Sequence, residues 1–378
     1  MTRLTEEQRL LRDTASEFAR RELVTHAAEW DREARFPKEA LAELGRLGFM
    51  GMLAPEEYGG AGADHVAYAL AIEEIAAGDG ATSTIVAVNS LCCSIVGQYG
   101  SEEQKRRFLT PMAKGETLAA FCLTEPHTGS DAGAIRTRAR RHGNRWVLNG
   151  TKQFITSGST AAVAIVFAVT DPEKGSKGIS AFVVPTDTPG YRVAHIEKKL
   201  GQHASDTAQL VFEDMEVTPD LMLGPEGVGY RIALANLEGG RIGIAAQAVG
   251  MACAAYEAAV AYAKERETFG KKIIDHQAVG FRLADMATQI AAARGLVLDA
   301  AERRDAGQPC LQEASMAKLF ASEMAERVAS DAIQIHGGYG YVADFPVERI
   351  YRDVRVCQIY EGTSDVQRLV IAREIAKG

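Results

Sequence analysis

The hydrophobic pattern of this 378-residue chain changes near residues 118 and 228. In the first and last segments apolar residues recur at helical spacing, and alanine and leucine dominate the periodic positions. In the middle segment, short runs rich in Val, Ile, Phe and Thr alternate with turn residues, which indicates strands. We therefore predict an α+β multidomain protein with an N-terminal α-helical domain (1–118), a middle antiparallel β-sandwich or β-barrel domain (119–228) and a C-terminal four-helix bundle (229–378).

Local signals place individual elements within these segments. Thr5 with Gln8, and Ser101 with Gln104, have the spacing of helix capping boxes. No charged residue occurs between residues 81 and 99, which predicts a buried helix or the lining of an apolar cavity. Strands are expected over 119–124, 136–142, 145–148, 162–170, 179–185, 191–196 and 208–212. The expected C-terminal helices cover 230–265, 276–304, 312–335 and 345–356, with a short helix after residue 361.

The composition argues against several classes of function. The net charge of −8 at pH 7 disfavours broad binding to nucleic acid or to an anionic membrane. The longest apolar stretch, 161–169, is about half as long as a transmembrane helix, and the N-terminus lacks the apolar core of a secretory signal. The six cysteines include no C-x-x-C pair, which favours a reduced compartment. We expect a cytoplasmic protein without membrane insertion.

Glu361 is an acidic residue at a position that serves no helix packing, between Tyr360 and Gly362. Thr363 begins a run of residue types that cap helices, so we predict a tight turn just before a final helix. Gly362 is expected to let a ligand approach the backbone there. If an apolar ligand covers the carboxylate, loss of hydration raises its pKa toward neutrality, as a general base requires. The alternative is that Glu361 merely precedes a helix.

Three other polar clusters have no evident packing role. The loop 121–131 follows a strand and carries hydroxyl and backbone N–H groups that can bind a polar ring edge or a phosphate. The other two clusters surround Arg266, at an expected helix end, and the glycine-rich run 334–341. Each also has a simpler interpretation: an ordinary loop, a cation at a helix C-terminus, and a helix terminated by glycine.

Common site motifs are absent from the sequence. It contains neither G-x-G-x-x-G nor a P-loop, so a dinucleotide cannot be held in a Rossmann or P-loop manner. The eight histidines lack metal-binding spacing, and no G-x-S-x-G elbow occurs. We expect no metal, and the sequence gives little support to a hydrolase or a metalloenzyme.

Seven stretches in order along nearly the whole chain carry a family resemblance: 121–130, 154–156, 237–241, 265–270, 276–277, 334–338 and 359–365. Together they resemble the acyl-CoA dehydrogenase family, most of all its short-chain and short-branched members. The resemblance implies the same three-part fold and an FAD-dependent oxidation of an acyl-CoA thioester to a trans-2-enoyl-CoA. It also implies a homotetramer, built as a dimer of dimers, that passes electrons to an electron-transfer flavoprotein.

By this resemblance, Glu361 matches the catalytic glutamate that removes the α-proton while flavin N5 takes the β-hydride. Its backbone N–H and an FAD ribityl hydroxyl would stabilise the developing enolate. Some relatives carry the base at the position of Gly240, where this chain has no carboxylate. Glu238 precedes it by two residues, on a different face of a regular helix.

The resemblance also implies the ligand-binding residues. For FAD these are Phe121, Leu123, Thr124, Gly129, Ser130, Phe154, Ile155, Thr156, Arg266, Phe269, Gln277, Gln334, Ile335, Gly337, Gly338, Thr363 and Asp365. Arg266, Gln277 and the loop 334–338 would reach FAD from a neighbouring subunit, with Arg266 toward the pyrophosphate. For acyl-CoA the implied residues are Ser130, Glu238, Arg241, Tyr360 and Gly362.

The chain departs from the commonest family pattern at His127, Phe154 and His203, positions that bear on cofactor contacts and acceptor docking. Two alternatives remain: a flavin oxidase of the acyl-CoA or nitroalkane type that uses oxygen, and a non-catalytic flavoprotein that binds nucleic acid. The net charge of −8 opposes the second. The absence of Lys and Arg from 81–99 disfavours a dicarboxylic acyl group, so we expect a straight or branched, short to medium chain.

Overall fold

A computed structural model describes residues 4–377, and its first part is helical. Both predicted capping boxes, Thr5 with Gln8 and Ser101 with Gln104, are present with reciprocal hydrogen bonds. Five-residue π-helical turns follow α1 and α6. The helices are α1 Glu6–Phe18, α2 Val24–Glu33, α3 Lys38–Arg46, α4 His65–Gly78, α5 Gly80–Tyr99, α6 Glu102–Gln104 and α7 Thr110–Ala113.

The middle part is one eight-stranded sheet in the order β6-β7-β3-β2-β4-β5-β8, with β1 paired to β4. Most pairs are antiparallel, but β4 runs parallel to both β1 and β2. The sheet is therefore mixed, which the long connections between these strands permit. The strands are β1 Ala119–Cys122, β2 Arg138–His142, β3 Arg145–Thr156, β4 Val163–Val169, β5 Ile179–Pro185, β6 Tyr191–Ile196, β7 Thr207–Val217 and β8 Met222–Leu223.

The last part returns to helices, in which α8, α9 and α10 pack together and α11 lies against α8 and α10. A two-stranded hairpin connects α8 to α9. The division into domains at residues 118 and 228 stays a prediction. The elements are α8 Gly229–Glu265, β9 Glu267–Thr268, β10 Lys271–Lys272, α9 Gln277–Asp305, α10 Leu311–His336, α11 Val347–Val354 and α12 Ser364–Ile375.

Two helices, α5 and α8, are long and apolar enough to cross a membrane by length and composition alone. Their apolar windows are 83% and 61% buried inside the protein, so both are accounted for as core helices. The uninterrupted stretch 161–169 is shorter than these two helical windows. The reason in α5 is that small polar residues interrupt its apolar runs without introducing charge. The interpretation of 81–99 as a buried helix is confirmed.

The crossing of α4 and α8 depends on close backbone contact at Gly250. A Cβ atom there would lie 2.0 Å from the carbonyl oxygen of Glu73, which is too close for any side chain. By contrast, a Cβ at the exposed Gly295 on α9 would meet no atom within 4 Å. The two helical glycines therefore form a matched pair for testing the crossing.

We predict that Gly250→Ala lowers the free energy of unfolding by about 1–3 kcal/mol, because α4 and α8 must separate. Gly295→Ala should raise it by about 0.5–1 kcal/mol, because alanine is the better helix former. Urea-induced unfolding followed by circular dichroism measures both changes. Equal effects of the two substitutions would contradict close contact at Gly250.

Candidate active site

Glu361 lies in a tight turn directly before α12, as predicted. Its φ is 53° and that of Gly362 is 88°, so two consecutive residues adopt left-handed backbone conformations. Thr363 caps α12 by accepting a hydrogen bond from the backbone N–H of Val366. A positive φ is costly for a residue with a side chain and persists where the surroundings hold it. The turn therefore needs support from other elements.

That support comes from Lys318 on α10 and from Gln367 on α12. Lys318 Nζ donates to the carbonyl oxygen of Gly362 at 2.6 Å. Gln367 Nε2 donates to the carbonyl oxygens of Glu361 at 3.1 Å and Gly362 at 2.9 Å. Within residues 4–377, no acceptor contacts the backbone N–H of Glu361. The turn is thus held by its carbonyl groups, and this N–H stays available to a ligand.

Gly362 is required by its φ and by its closeness to Gln367, and the close approach of a ligand there stays a prediction. A Cβ atom at Gly362 would lie 2.7 Å from Gln367 Nε2. The sequence did not identify Lys318 or Gln367 as site residues. A signal for Lys318 exists, because this lysine occupies a position on α10 among buried small residues such as Ala314 and Ala321.

The carboxyl group of Glu361 faces α8 at Gly240. A Cβ at Gly240 would lie 2.9 Å from Glu361 Oε2, so only glycine leaves room for the carboxylate. Oε2 is buried and has no hydrogen-bond partner among the described residues, although the rest of Glu361 is partly exposed. Loss of hydration raises the pKa of Glu361 to about 7, while the positive charges of Arg241 and Lys318 act to lower it.

Glu238 and Arg241 flank Gly240 on α8 but point to different surroundings. Glu238 pairs with Arg304 Nη1 at 3.1 Å and accepts a hydrogen bond from the Cys310 thiol at 3.2 Å. The predicted difference in helix face is therefore confirmed. Arg241 is 6% exposed, and its buried Nε and Nη1 have no partner within residues 4–377. Two guanidinium donors beside Glu361 are thus available to a ligand.

A cavity of about 260 Å³ opens between α4, α5 and α8 and reaches Gly240. Its α5 wall includes Ala87 and is free of charge, so the second interpretation of 81–99 also applies to one face of that helix. His65 and Arg304 line the cavity as well. Arg304 Nε donates to His65 Nε2 at 3.0 Å, and His65 Nδ1 donates to Asp305 at 2.7 Å. The only arginine at the described cavity wall is thus already bonded.

The two segments of the middle region that are predicted to bind FAD, 121–130 and 154–156, lie side by side. The backbone N–H of Gln153 donates to the carbonyl oxygen of Thr124 at 2.9 Å, which joins the strand of Phe154, Ile155 and Thr156 to the loop after β1. Phe154 has a φ of 58° and is 63% exposed. Phe121 lies on β1, and Leu123 directly follows that strand. Gly129 and Ser130 are exposed on the loop.

A buried ion pair that sequence reasoning missed fixes this loop. Lys152 Nζ lies 2.8 Å from Glu125 Oε1 and donates to the carbonyl oxygen of Leu123 at 3.1 Å. Both side chains are at most 2% exposed. Glu125 also accepts from the backbone N–H groups of Arg136 and Thr137. The sequence signals that could have predicted this ion pair are Lys152 within a strand and Glu125 in a hydroxyl-rich loop.

Seven further predicted cofactor residues form a second, largely exposed group at the other end of α8. Arg266 ends α8 with its guanidinium 5.9 Å from the ring of Tyr339. Phe269 is 96% exposed with a φ of 53°. The group's other members begin α9 or end α10; they are Gln277, Gln334, Ile335, Gly337 and Gly338. Of these, Ile335 is buried.

The structure does not bring the two groups together within one chain. Arg266 follows Arg241 by 25 residues on α8, which at 1.5 Å per residue is about 37 Å. Thr363 and Asp365, by contrast, lie beside Glu361, where Asp365 is 92% exposed and Thr363 caps the helix. The hydroxyl of Tyr360 points into the core, where it bonds Gln247.

Buried polar atoms without partners test whether an FAD fits these residues. Ser157 follows the predicted triplet 154–156, and Ser364 lies between Thr363 and Asp365. Both hydroxyl oxygens are buried and have no hydrogen-bond partner among the described residues. Glycines 337 and 338 leave open space for a ligand, because a Cβ at either would meet nothing within 4 Å. The residues therefore fit the polar edges and phosphates of FAD.

The three departures from the family pattern differ in their surroundings. His203 Nδ1 lies 3.0 Å from Asp31 Oδ1, and Nε2 contacts the carbonyl oxygen of Lys199 at 2.9 Å, so His203 joins α2 to the middle region. His127 Nε2 contacts the carbonyl oxygen of Ala134 at 3.1 Å within its own loop. Phe154 remains the departure with a ring free to contact a ligand.

The raised pKa of Glu361 predicts a pH-dependent stability. The folded protein binds the Glu361 proton more tightly than the unfolded chain, so this group lowers stability as the pH rises from about 4.5 to about 7. Glu361→Gln should therefore stabilise the protein more at pH 8 than at pH 5, by about 2 kcal/mol after allowance for its partial exposure.

Urea unfolding at the two pH values measures this difference. Glu374→Gln is the matched control, because Glu374 is paired with Lys377 at the end of α12. It shows what the same substitution does to stability at a position away from the turn. A Glu361→Gln effect independent of pH would contradict the assignment of a near-neutral pKa.

Comparison with known proteins identifies the family. Models of the acyl-CoA dehydrogenase N-terminal, middle and C-terminal domains match residues 5–116, 120–215 and 227–376. A short-chain specific acyl-CoA dehydrogenase of Clostridium acetobutylicum is 47% identical over 98% of each chain.

Two solved structures have the same fold. Butyryl-CoA dehydrogenase from Megasphaera elsdenii has a TM-score of 0.97 and 43% identity, with 100% of both chains covered. A chain from a structural study of the electron transferring flavoprotein of Acidaminococcus fermentans has a TM-score of 0.98 and 46% identity, also with 100% of both covered. With these matches along its whole length, the chain belongs to the acyl-CoA dehydrogenase family.

Proposed function

We propose that this protein is an acyl-CoA dehydrogenase that converts a short acyl-CoA thioester to its trans-2-enoyl-CoA and passes the electrons to an electron-transfer flavoprotein. The observation that carries the proposal is the desolvated carboxylate of Glu361, which meets Gly240 at the wall of the cavity. The Clostridium relative acts on short chains by its name, and one structural neighbour comes from a study of an electron transferring flavoprotein.

Glu361 is suited to remove the α-proton of the thioester. Because its pKa is about 7, a large fraction is ionised at neutral pH, and its conjugate acid is weak enough to make it an effective base. The free backbone N–H of Glu361 can donate to the thioester oxygen as negative charge develops there. The unpaired guanidinium N–H groups of Arg241 add positive potential at the same place.

The family depends on FAD, which when bound accepts the hydride from the β-carbon. In this chain the loop after β1 and the residues Phe154, Ile155 and Thr156 would hold its ring system, with Phe154 offering an aromatic face. Thr363 and Asp365 would contact its adenosine half. The ion pair of Glu125 and Lys152 would keep the ring-binding loop in place.

The distance along α8 supports binding of each FAD by two subunits. Arg266 and the residues near it are exposed about 37 Å from Arg241 by the rise of the helix, too far to serve a ligand beside Glu361. In a homotetramer built as a dimer of dimers, this second group would reach the FAD of a neighbouring copy. The guanidinium of Arg266 suits the pyrophosphate by its charge and its planar donors.

The cavity supports a short, uncharged acyl group. Its volume of about 260 Å³ is below the range usual for drug-sized ligands. Arg304 is bonded to His65 and Glu238, so it offers a dicarboxylic acyl chain no unpaired counter-charge. Further polar residues proposed to hold acyl-CoA are Ser130, which is exposed beside the ring-binding loop, and Arg241.

Two further proposals concern the whole chain. The three matched family segments support domain boundaries near residues 118 and 228. All six cysteines are free, which supports a reduced, cytoplasmic location.

The function predicts that anaerobic butyryl-CoA bleaches the flavin of the holoprotein. Glu361→Gln should retain FAD and ligand binding but lower the rate of bleaching by about 10³-fold or more, because the amide cannot accept the proton. Glu374→Gln, with the same substitution at the end of α12, should bleach at the wild-type rate.

Stopped-flow absorbance near 450 nm follows this reaction. Bleaching by Glu361→Gln at the wild-type rate would overturn the assignment of the base. If the reduced wild-type flavin is instead reoxidised by oxygen within a turnover, the protein is an oxidase rather than a dehydrogenase.

The cavity predicts a dependence of activity on acyl length. Ala87 lies in the α5 wall, so Ala87→Leu should lower kcat/KM for octanoyl-CoA at least about tenfold more than for butyryl-CoA. Ala292→Leu, on the exposed face of α9, is the matched control and should change neither value. Steady-state assays with straight-chain, isovaleryl- and glutaryl-CoA substrates measure the profile. An equal loss with all chain lengths would contradict a role for Ala87 in limiting length.

A further inference from the structure

Two lysines, Lys152 and Lys318, are completely buried in the described part of the chain. Lys152 forms a 2.8 Å ion pair with Glu125. Within residues 4–377, Lys318 has no such carboxylate partner: its ammonium donates to one acceptor, the carbonyl oxygen of Gly362, at 2.6 Å. A buried charge held by a single backbone carbonyl is costly. The presence of the buried Lys318 ammonium group next to Glu361 therefore calls for a functional explanation.

The other groups that face Lys318 and Glu361 come from four segments of the chain. Arg241 projects from α8, Cys357 precedes the turn, Tyr68 lies on α4 and Cys92 on α5. Burial lowers the pKa of Lys318 to about 8, Cys357 and Glu361 oppose this, and Arg241 adds to it. Burial raises the pKa values of Tyr68, Cys92 and Cys357, so these three groups stay neutral. The charges of the pocket are thus Glu361, Arg241 and Lys318.

Arg241 and Lys318 contribute differently to this pocket. Arg241 has unpaired donors beside Glu361 and can turn them toward a ligand. Lys318 instead donates its hydrogen bond to the carbonyl oxygen of Gly362, within a turn that has left-handed backbone at two consecutive residues. It therefore acts on the shape of the turn and on the charge of the carboxylate without touching the cavity, whose lining does not include it.

We propose that Lys318 is a positioning residue, whose ammonium locks the turn at Glu361 and Gly362 and supplies the positive charge that favours the carboxylate form of Glu361. The proposal deepens the function proposed above, since it rests on Glu361 as the base. A nearby positive charge favours the ionised form of an acid, and Lys318 acts on the pKa of Glu361 in this direction. Loss of Lys318 should leave more Glu361 protonated at neutral pH.

Two variants separate the charge from the hydrogen bond. Lys318→Gln removes the charge and keeps a donor, whereas Lys318→Met removes both and keeps most of the side-chain length. Arg327→Met is the matched control, because it removes a positive charge from the exposed face of the same helix. FAD content and melting temperature of each holoprotein show whether it is folded.

The decisive measurement is the titration of Glu361 in the holoprotein, by the infrared carboxyl band that disappears in Glu361→Gln. Both Lys318 variants should raise its midpoint by about 1 unit or more, and the acid limb of anaerobic bleaching should move by the same amount. At high pH, where Glu361 is ionised in every variant, Lys318→Met should bleach about tenfold or more slowly than Lys318→Gln, because it also loses the hydrogen bond.

A Glu361 titration midpoint within about 0.3 pH unit of wild type in either folded variant would overturn the charge role. Equal bleaching rates of Lys318→Met and Lys318→Gln at high pH would overturn the positioning role. Arg327→Met should leave both quantities unchanged. If Lys318→Met does not fold, the infrared midpoint of Lys318→Gln still decides the charge role. Its bleaching rate at high pH is then compared with that of the wild type. A loss greater than about tenfold would contradict the prediction that the amide donor of glutamine still holds the turn. If acyl-CoA bleaches none of the proteins, the proposed function fails while the infrared titration still tests Lys318.

Discussion

The contact between the carboxyl group of Glu361 and α8 at Gly240 is the constraint on which the rest of the site depends. The carboxylate occupies the space that a side chain at position 240 would need, so α8 can approach the turn only with glycine there. The same approach removes water from the carboxylate and raises its pKa to about 7. Packing and acid–base chemistry are therefore set by one contact.

A buried chain of hydrogen bonds holds the surrounding elements in register behind this contact. Tyr360 donates to Gln247 on α8, and Gln247 Nε2 donates to Thr84 on α5 at 2.6 Å. Thr84 donates to Gln202 at 2.7 Å, and Gln202 contacts the backbone carbonyl of Asp353 at 3.3 Å. The chain therefore crosses all three parts of the fold. Since an unpaired polar group inside a protein is costly, the chain specifies how these parts meet.

Backbone strain occurs in three segments where ligands are proposed to bind. Of the non-glycine residues with positive φ, Phe154, Phe269 and Glu361 lie in predicted cofactor or catalytic segments. Two of them are held by neighbours: Phe154 by a bulge in β3, and Glu361 by the bonds from Lys318 and Gln367 to the turn. Such strain persists only where the surrounding structure over-determines it, as the preorganisation of a reacting group requires.

The sequence by itself determined the three-part order of elements, the capping boxes, the turn at Glu361 and the family. These features depend on hydrogen bonds and periodicity within a few residues, or on motifs that can be read in order. Only the tertiary structure decided that Gly240 makes room for the carboxylate, that Lys318 holds Gly362, and that Arg266 lies far from Arg241 on one helix. It also decided the parallel pairing of β4 with β1 and β2. Such contacts join residues far apart in the chain, and their free energy comes from burial and packing that no local pattern encodes.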